Sequence, residues 1–268
     1  LFEPSMHEGV IERLALKADL QHAVVAEEFE VHYQPIVALQ SGAIAGVEAL
    51  LRWRHPKRGL VLPGEFIGLA EETGLILPLG RLVLNRACEQ VAHWRSVGHA
   101  DLGVSVNISA KQLSSHHLRG EVADALTACS LDPAALTLEI TESMLLDSQV
   151  VIGRLQELKA LGVRIAIDDF GTGYSSLSYL RRFPVDTLKI AKAFIDELSS
   201  SSEQERLVAA IRRLGSTLGL ETVAEGIEDQ SQRDRLRALR CQYGQGYFFS
   251  CPVPAHELEP VLLRTRVA

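Results

Sequence analysis

Ile165-Ala166-Ile167-Asp168-Asp169 is an apolar run closed by two adjacent carboxylates, and its reading decides the fold. The same design recurs at Ala45-Gly46-Val47-Glu48, Val104-Ser105-Val106-Asn107, Leu136-Thr137-Leu138-Glu139 and Thr222-Val223-Ala224-Glu225. A sixth run, Val185 to Ile190, carries Lys189 near its end. Each run reads as a β-strand. Carboxylates at strand ends are costly unless something there needs them. Oxygen ligands gathered at one rim of a sheet are what a hard divalent cation needs. The pattern predicts a barrel with a metal site at its C-terminal mouth.

Outward from these runs, strands alternate with helices. A leading helix is expected over 8–28, then the strand Val31-His32-Tyr33-Gln34-Pro35-Ile36-Val37. Pro35 cannot donate to a ladder, so this strand should sit partly at an edge or bulge. Ser41-Gly42 turns the chain into the strand that carries Glu48 and ends near Trp53. Helices over 79–97, 117–129, 148–161, 175–181, 203–218 and 229–239 then lead into strands over 102–107, 136–141, 163–168, 185–190, 221–225 and 242–248, with a last helix over 255–264. Ser148 reads as an N-cap and Gly162 as a helix stop. Ser199 to Ser202 reads as a short flexible joint. Eight strands in alternation with helices imply an α/β chain closed as a TIM-type (β/α)8 barrel.

The length of 268 residues suits one such barrel, as does a composition 47% hydrophobic and 23% charged. No apolar run approaches the roughly 20 residues that span a bilayer. The chain opens on Leu1 and carries no signal peptide. The expectation is a domain excised from a longer protein, with 1–28 as linker and leading helix and 29–268 as the barrel. The net charge of −7 and pI near 5.7 argue against a nucleic-acid polymer as partner. A small anionic ligand stays open, provided metal ions bridge acid to phosphate. Cys88, Cys129, Cys241 and Cys251 form no C-x-x-C pair; Cys88 and Cys129, on helical faces, read as core thiols rather than ligands, and a reducing, cytoplasmic setting is the simpler reading.

Side chains alternate along a strand. Glu139 shares a face with Thr137 and Thr141, and Asp168 with Ala166 and Arg164, so the acids point into the barrel mouth. Four oxygen groups plus water satisfy Mg²⁺ or Mn²⁺, and Asp168-Asp169 can bridge to a second ion about 3.5–4 Å away, a device for phosphodiester hydrolysis. The plainer alternative is helix capping, and Thr222-x-x-Glu225 does resemble a capping box, although Gly226 follows it directly. Lys189 in the same rim can hold an attacking hydroxide or a phosphate oxygen, the alternative being a salt bridge to Asp186 or Glu225. The fork of Arg52 suits phosphate oxygens, the alternative being an exposed strand-end arginine. Gly171-Thr-Gly173 reads as a mobile loop that places Asp168 and Asp169 rather than as a phosphate cradle. His55 reads as structural or solvent-facing rather than as a ligand.

Several motifs then occur in one order: Tyr33-Gln34-Pro35, Gly46-Val-Glu48-Ala49-Leu50-Leu51-Arg52-Trp53, Asn107-Ile108-Ser109, Glu139-Ile-Thr-Glu142, Asp168-Asp-Phe-Gly-Thr-Gly-Tyr-Ser-Ser-Leu177, Leu188-Lys189-Ile190, Ala224-Glu225-Gly-Ile-Glu228 and Gln245-Gly246-Tyr247. Over nearly its whole length the chain resembles the EAL domains, phosphodiesterases of cyclic di-GMP. The resemblance implies a modified barrel with an antiparallel first strand, in keeping with Pro35. It implies that Glu48, Asn107, Glu139 and Asp168 hold one metal, that Asp168, Asp169 and Glu225 serve a second metal and the catalytic water, and that Lys189 positions that water. Glu142 would hold the 169–178 loop, which would also carry a homodimer contact. Gln34, Leu50, Arg52, Asn107, Glu228 and Gln245 would contact the dinucleotide. Two Mg²⁺ or Mn²⁺ ions would be the cofactors, with Ca²⁺ inhibiting because it prefers looser coordination. Leu1 to His7 with Arg13-Leu14 resembles the joint after a GGDEF diguanylate-cyclase domain, and the longer protein is free to be membrane-anchored. Two positions depart from the pattern: Ala191 stands where the family usually has Asp after Leu-Lys-Ile, and Gln242 where an Asp is common. An Asp at 191 is expected on the inward face beside Lys189. The reading that follows is hydrolysis of cyclic di-GMP to linear pGpG, with a catalytically weakened receptor as the alternative.

Overall fold

A computed structural model describes residues 4–146, 148–173, 180–198 and 202–264. Most of the helix expected over 175–181, and Ser199 to Ser201 of the expected joint, lie outside the described residues. The chain starts with α1 (Pro4–Val25), β1 (Phe29–Ala38), β2 (Ile44–His55), β3 (Gly59–Val61), α2 (Pro63–Thr73) and α3 (Ile76–Ser96). It continues with β4 (Gly103–Asn107), α4 (Ala110–Ser114), α5 (Leu118–Cys129), β5 (Leu136–Thr141), α6 (Ser148–Lys159) and β6 (Arg164–Phe170). After these come β7 (Thr187–Ile190), α7 (Lys192–Asp196), α8 (Ser202–Leu218), β8 (Glu221–Ala224), α9 (Gln230–Ala238), β9 (Tyr243–Gly244), β10 (Val253–Pro254) and α10 (Ala255–Arg264). Helix α2 was not expected, although Pro63 at its start and Gly74 at its C-cap, with φ of 79°, are the ordinary punctuation of a helix. The strand expected over 242–248 shrinks to Tyr243–Gly244. Beyond it the backbone turns at Gly246, where φ is +156° and a Cβ would lie 2.1 Å from the Ile227 carbonyl oxygen.

Eight strands close in the order β1, β2, β4, β5, β6, β7, β8, β9 and back to β1. From β2 round to β9 every neighbour is parallel, whereas β1 is antiparallel to both β2 and β9. The antiparallel first strand explains how Pro35 is tolerated. In such a ladder hydrogen-bonded and non-bonded pairs alternate. The Arg54 N–H donates to the Glu28 carbonyl, so Pro35, an odd number of steps away, turns its nitrogen from β2. On that other side β1 pairs with β10 only at His32 and Tyr33 and with β9 only at Val37 and Ala38. Pro35 sits in the gap between them, next to a bulge at Ile36/Val37.

Alternation sorts the barrel into two layers. Phe29, Tyr33, Val47, Trp53, Leu138, Ile140, Ile165, Ile167 and Leu188 face the helices in one apolar cluster. There the rings of Trp53 and Phe66 meet edge to face at 5.8 Å, and those of Tyr33 and Trp94 at 5.0 Å. Burying each large apolar side chain contributes about 1.5–3 kcal/mol. Helix α1 joins this cluster through Leu16, Leu20 and Ala23. His55 ties it down further: Nε2 lies 3.1 Å from Asp19 Oδ2, while Nδ1 accepts from the Lys57 and Arg58 N–H groups, which places the proton on Nε2. This is the structural role expected for His55. The inner layer is unusual for a barrel core, since its lower positions include Gly46, Ser105, Thr137, Ala166 and Thr187. They leave a cavity of about 290 Å³ that reaches Glu139 and Lys189. Among the described residues no helix is long and apolar enough to cross a membrane.

Candidate active site

The inward positions at the C-terminal ends of the strands converge. Lys189 on β7 is buried, and its Nζ donates to Glu139 Oε2 at 2.6 Å and to Glu48 Oε2 at 3.3 Å, with Glu225 Oε1 at 2.6 Å and Asp168 Oδ1 at 3.3 Å. Asn107 Nδ2 donates to Glu48 Oε1 at 2.7 Å. The acids expected to share a site therefore do share one. Of the two salt-bridge partners weighed for Lys189, Glu225 is engaged, whereas Asp186 is paired with Lys159 at 2.9 Å. Thr222 does not cap a helix either. It is buried in β8, with its N–H and hydroxyl both donating to Gln242 Oε1, at 2.9 and 2.6 Å. That contact gives Gln242 a structural place.

Strict alternation would turn Asp169 away from Asp168, toward the helices. The β6–β7 register shifts between Ile167 and Phe170, and Asp169 has φ of 53°. This bulge with a left-handed residue re-aims the side chain, so that Asp168, Asp169 and Glu225 offer ligand atoms all within 4.8 Å of one another. Behind them, Glu142 Oε2 accepts the N–H groups of Gly171 at 2.8 Å and Gly173 at 3.3 Å. Both glycines are spoken for by packing: a Cβ on Gly171 would sit 2.7 Å from the Phe194 ring, and one on Gly173 3.0 Å from the Glu142 carboxylate. The Gly171-Thr172-Gly173 turn is thus a tie between β6 and Glu142, with its N–H groups turned to a carboxylate rather than to a phosphate.

Five carboxylates share this mouth with one ammonium. Burial pushes Glu139 well above the ordinary carboxylate range, with Lys189 opposing and Glu48 and Asp168 adding to the rise. Burial likewise pushes Glu225 up to about 8, against the pull of Lys189. Asp169 is raised by burial and by Asp168. For Lys189 burial alone would lower the pKa, but Glu139, Glu225, Glu48 and Asp168 outweigh it and hold the ammonium well above its usual value. So much negative charge behind one lysine is what bound cations would neutralise. The donor set is all hard oxygen, which suits Mg²⁺ or Mn²⁺. Gln245 adds an independent sign: Nε2 donates to Gln34 Oε1 at 2.8 Å and Glu48 Oε2 at 2.6 Å, and among the described residues its buried Oε1 has no hydrogen-bond partner. An acceptor stranded there fits a site built for a ligand or ion.

The residues expected to meet the dinucleotide lie around this mouth. Gln34 Nε2 donates to the Ser250 carbonyl at 2.9 Å. Leu50 lies between Glu48 and Arg52 on the inward face of β2. Arg52 is buried rather than exposed, which overturns the plain strand-end alternative. Burial lowers its pKa while nearby Tyr247 and Glu48 raise it, and among the described residues its guanidinium makes no ion pair. Tyr247, 63% exposed, lies near that guanidinium and adds to the rim a ring that the strand pattern does not single out. Glu228 stands at the rim with its side chain half exposed and pairs with Lys192. Ala191 directly follows β7, which ends at Ile190, and is buried with an extended backbone of φ −56° and ψ 143°. Ala191 also occupies the N-cap of α7, where no side chain accepts a helix N–H. The part of the 169–178 loop beyond Gly173 lies outside the described residues.

The EAL domain family model matches residues 17–252. The chain is 47% identical over 260 residues to the bifunctional diguanylate cyclase/cyclic di-GMP phosphodiesterase MucR of Pseudomonas aeruginosa, covering 96% of this chain and 38% of that protein. It is 43% identical over 252 residues to the cyclic di-GMP phosphodiesterase NbdA of the same organism, covering 94% of this chain and 32% of that one. It thus spans about a third of the length of these curated relatives. A solved structure of the MucR phosphodiesterase in complex with c-di-GMP superimposes with a TM-score of 0.88 at 46% identity, covering 91% of this chain and 99% of that chain. With its motifs in order and its rim acids gathered on Lys189, the chain belongs to the EAL domain family.

Proposed function

We propose that this domain hydrolyses cyclic di-GMP to linear pGpG. The observation that carries the reading is the convergence of Glu48, Glu139, Asp168 and Glu225 on the buried Lys189 ammonium. Glu48, Asn107, Glu139 and Asp168 would hold one Mg²⁺ or Mn²⁺, and Asp168, Asp169 and Glu225 a second. Such ions, when bound, offset the charge that builds on the attacking and leaving oxygens. The residues supply the rest. Arg52, Gln34, Gln245 and Glu228 hold the dinucleotide across the mouth, with Arg52 on a phosphate. The buried Lys189 ammonium orients the attacking water. The proton lost by that water is accepted by a carboxylate of the Asp169–Glu225 pair, which lies beside it. Attack on phosphorus breaks the bond to the 3′ oxygen, which leaves as a hydroxyl and opens the ring.

Incubating the domain with cyclic di-GMP and Mg²⁺ or Mn²⁺ should yield pGpG, excess EDTA should abolish it, and Ca²⁺ should inhibit. Glu48→Ala should remove turnover while the fold survives; wild-type turnover in that variant would refute the ligand assignment. A second reading, a cyclic di-GMP receptor with weak turnover, draws on Ala191, and binding without any pGpG would favour it. We further infer a homodimer through the 169–178 region and, in line with the diguanylate cyclase activity named for the MucR relative, an upstream GGDEF domain in a longer protein. The free thiols at Cys88, Cys129, Cys241 and Cys251 suit a reducing, cytoplasmic compartment.

A further inference from the structure

Lys192 lies outside the set of residues that the sequence motifs single out, yet the rim is organised around it. It is the first residue of α7, and its Nζ donates to Asp196 Oδ1 at 2.8 Å and to Glu228 Oε1 at 2.5 Å. Its aliphatic stem runs across the backbone of Gly226, directly after Glu225. A Cβ on Gly226 would sit 2.3 Å from Lys192 Cγ, and Gly226 has φ of 68°, so glycine alone lets the stem pass. A second side chain binds the same segment from within. Gln232 Oε1 accepts the N–H groups of Glu228 at 2.7 Å and Asp229 at 3.2 Å, while Nε2 donates to the Ile195 carbonyl of α7 at 3.2 Å. The segment after β8 is therefore strapped to α7, the helix that directly follows Lys189.

An exposed lysine–glutamate pair alone contributes little and is often not held in one geometry. Here two features fix it: the packed stem over Gly226 and the second acid, Asp196. Lys192 engages Oε1 of Glu228. Among the described residues the other carboxylate oxygen has no hydrogen-bond partner, and the side chain is half exposed, so it is open to a ligand. A guanine base offers N–H donors, and a carboxylate oxygen is a matching acceptor.

We propose that Lys192 is a positioning residue, which holds the Glu228 carboxylate at the rim in the orientation that receives the substrate's base. The proposal rests on the cyclic di-GMP reading given above. Among the described residues the Lys192 ammonium pairs with Asp196 and Glu228 and with none of the acids assigned to metal, so its effect belongs to binding.

The test uses Lys192→Met, which keeps the stem over Gly226 and removes the donors, together with Lys192→Arg, Glu228→Gln and the Lys192→Met/Glu228→Gln double variant. Affinity for cyclic di-GMP is read by calorimetry with Ca²⁺ in place of Mg²⁺, and KM and kcat from pGpG formation in Mg²⁺. Lys192→Met should weaken binding about tenfold, within the range for directly coupled neighbours, and raise KM in proportion with kcat within about twofold. Lys192→Arg should retain most of the affinity. In the Glu228→Gln background, Lys192→Met should add nothing further. Unchanged affinity in Lys192→Met, or a loss that simply adds to that of Glu228→Gln, would overturn the proposal. Wild-type binding without pGpG would remove the hydrolase reading and leave this test standing on affinity, whereas no wild-type binding would remove both.

Discussion

Two lysines three residues apart meet opposite surroundings. Lys189 is almost wholly buried among four carboxylates, while Lys192 is half exposed between two. Both are cations held by acids, yet the physics differs. At Lys189 water is excluded, each charge is costly to bury, and the cluster persists only because the charges offset one another. At Lys192 solvent and salt screen the pair, and packing on Gly226 together with the second acid, Asp196, keeps the geometry. The same residue type thus serves as the centre of a charge cluster in one place and as a strut in the other.

The sharpest way to break this contrast is Lys189→Met. It should lower kcat by at least about 100-fold, since it removes a preorganised charge from the reacting centre. In EDTA it should also cost about 3–5 kcal/mol of stability in urea unfolding, because Glu139 and Glu225 lose their buried partner. A metal-free protein with unchanged unfolding would show that the cluster is not held by its lysine.

Next in size is a pH effect confined to the Lys189 region. Glu225 has a folded-state pKa of about 8, above its unfolded value of 4.5. Between those values the folded state binds the extra proton, so metal-free stability falls as pH rises from about 5 to 8. Lys189 does not reverse this, because its raised pKa alters stability only at higher pH. The melting temperature in EDTA should therefore drop across that range, and Mg²⁺ should raise it more at pH 8 than at pH 6. A flat metal-free profile would contradict the burial assigned to Glu225.

A smaller effect concerns the stretch between the two lysines. Ala191→Asp supplies α7 with an acceptor at its N-cap, which is typically worth about 1 kcal/mol and a few degrees in melting temperature. It should raise turnover as well, by firming the helix that follows Lys189. Equal stability and rate in both proteins would make the departure neutral. The smallest effect is on the Lys192 side, where Lys192→Met should move unfolding stability by less than about 0.5 kcal/mol, in contrast to its effect on ligand affinity.

The barrel and its charged mouth were legible because period and chemistry coincide in the strands. Runs such as Leu136 to Glu139 state both that a strand exists and which end carries the acid. The geometry of the rim was less legible. Alternation alone would send Asp169 outward, and only the bulge with its left-handed residue turns it back. No periodicity announces a bulge, since one extra residue leaves the pattern on either side intact. That residue 191 also serves as the N-cap of α7 was not legible either, since β7 and α7 follow one another with no turn signal between them. Lys192 was missed because its meaning lies in a contact across 36 positions. Helix α2 was missed although Pro63 and Gly74 marked both its ends.

The gap beside Pro35 bears on how the barrel comes apart. β1 is laced to β2 along its whole length but to β9 only at Val37 and Ala38. Local opening should start beside β9, which pairs with β1, as with β8, at only two positions. The β1–β2 hairpin would then swing as one leaf, taking Gln34, Glu48, Leu50 and Arg52 with it. One wall of the mouth is therefore hinged, and amide exchange at Tyr243 and Gly244 would run ahead of exchange at the closely laced centre of β5 and β6.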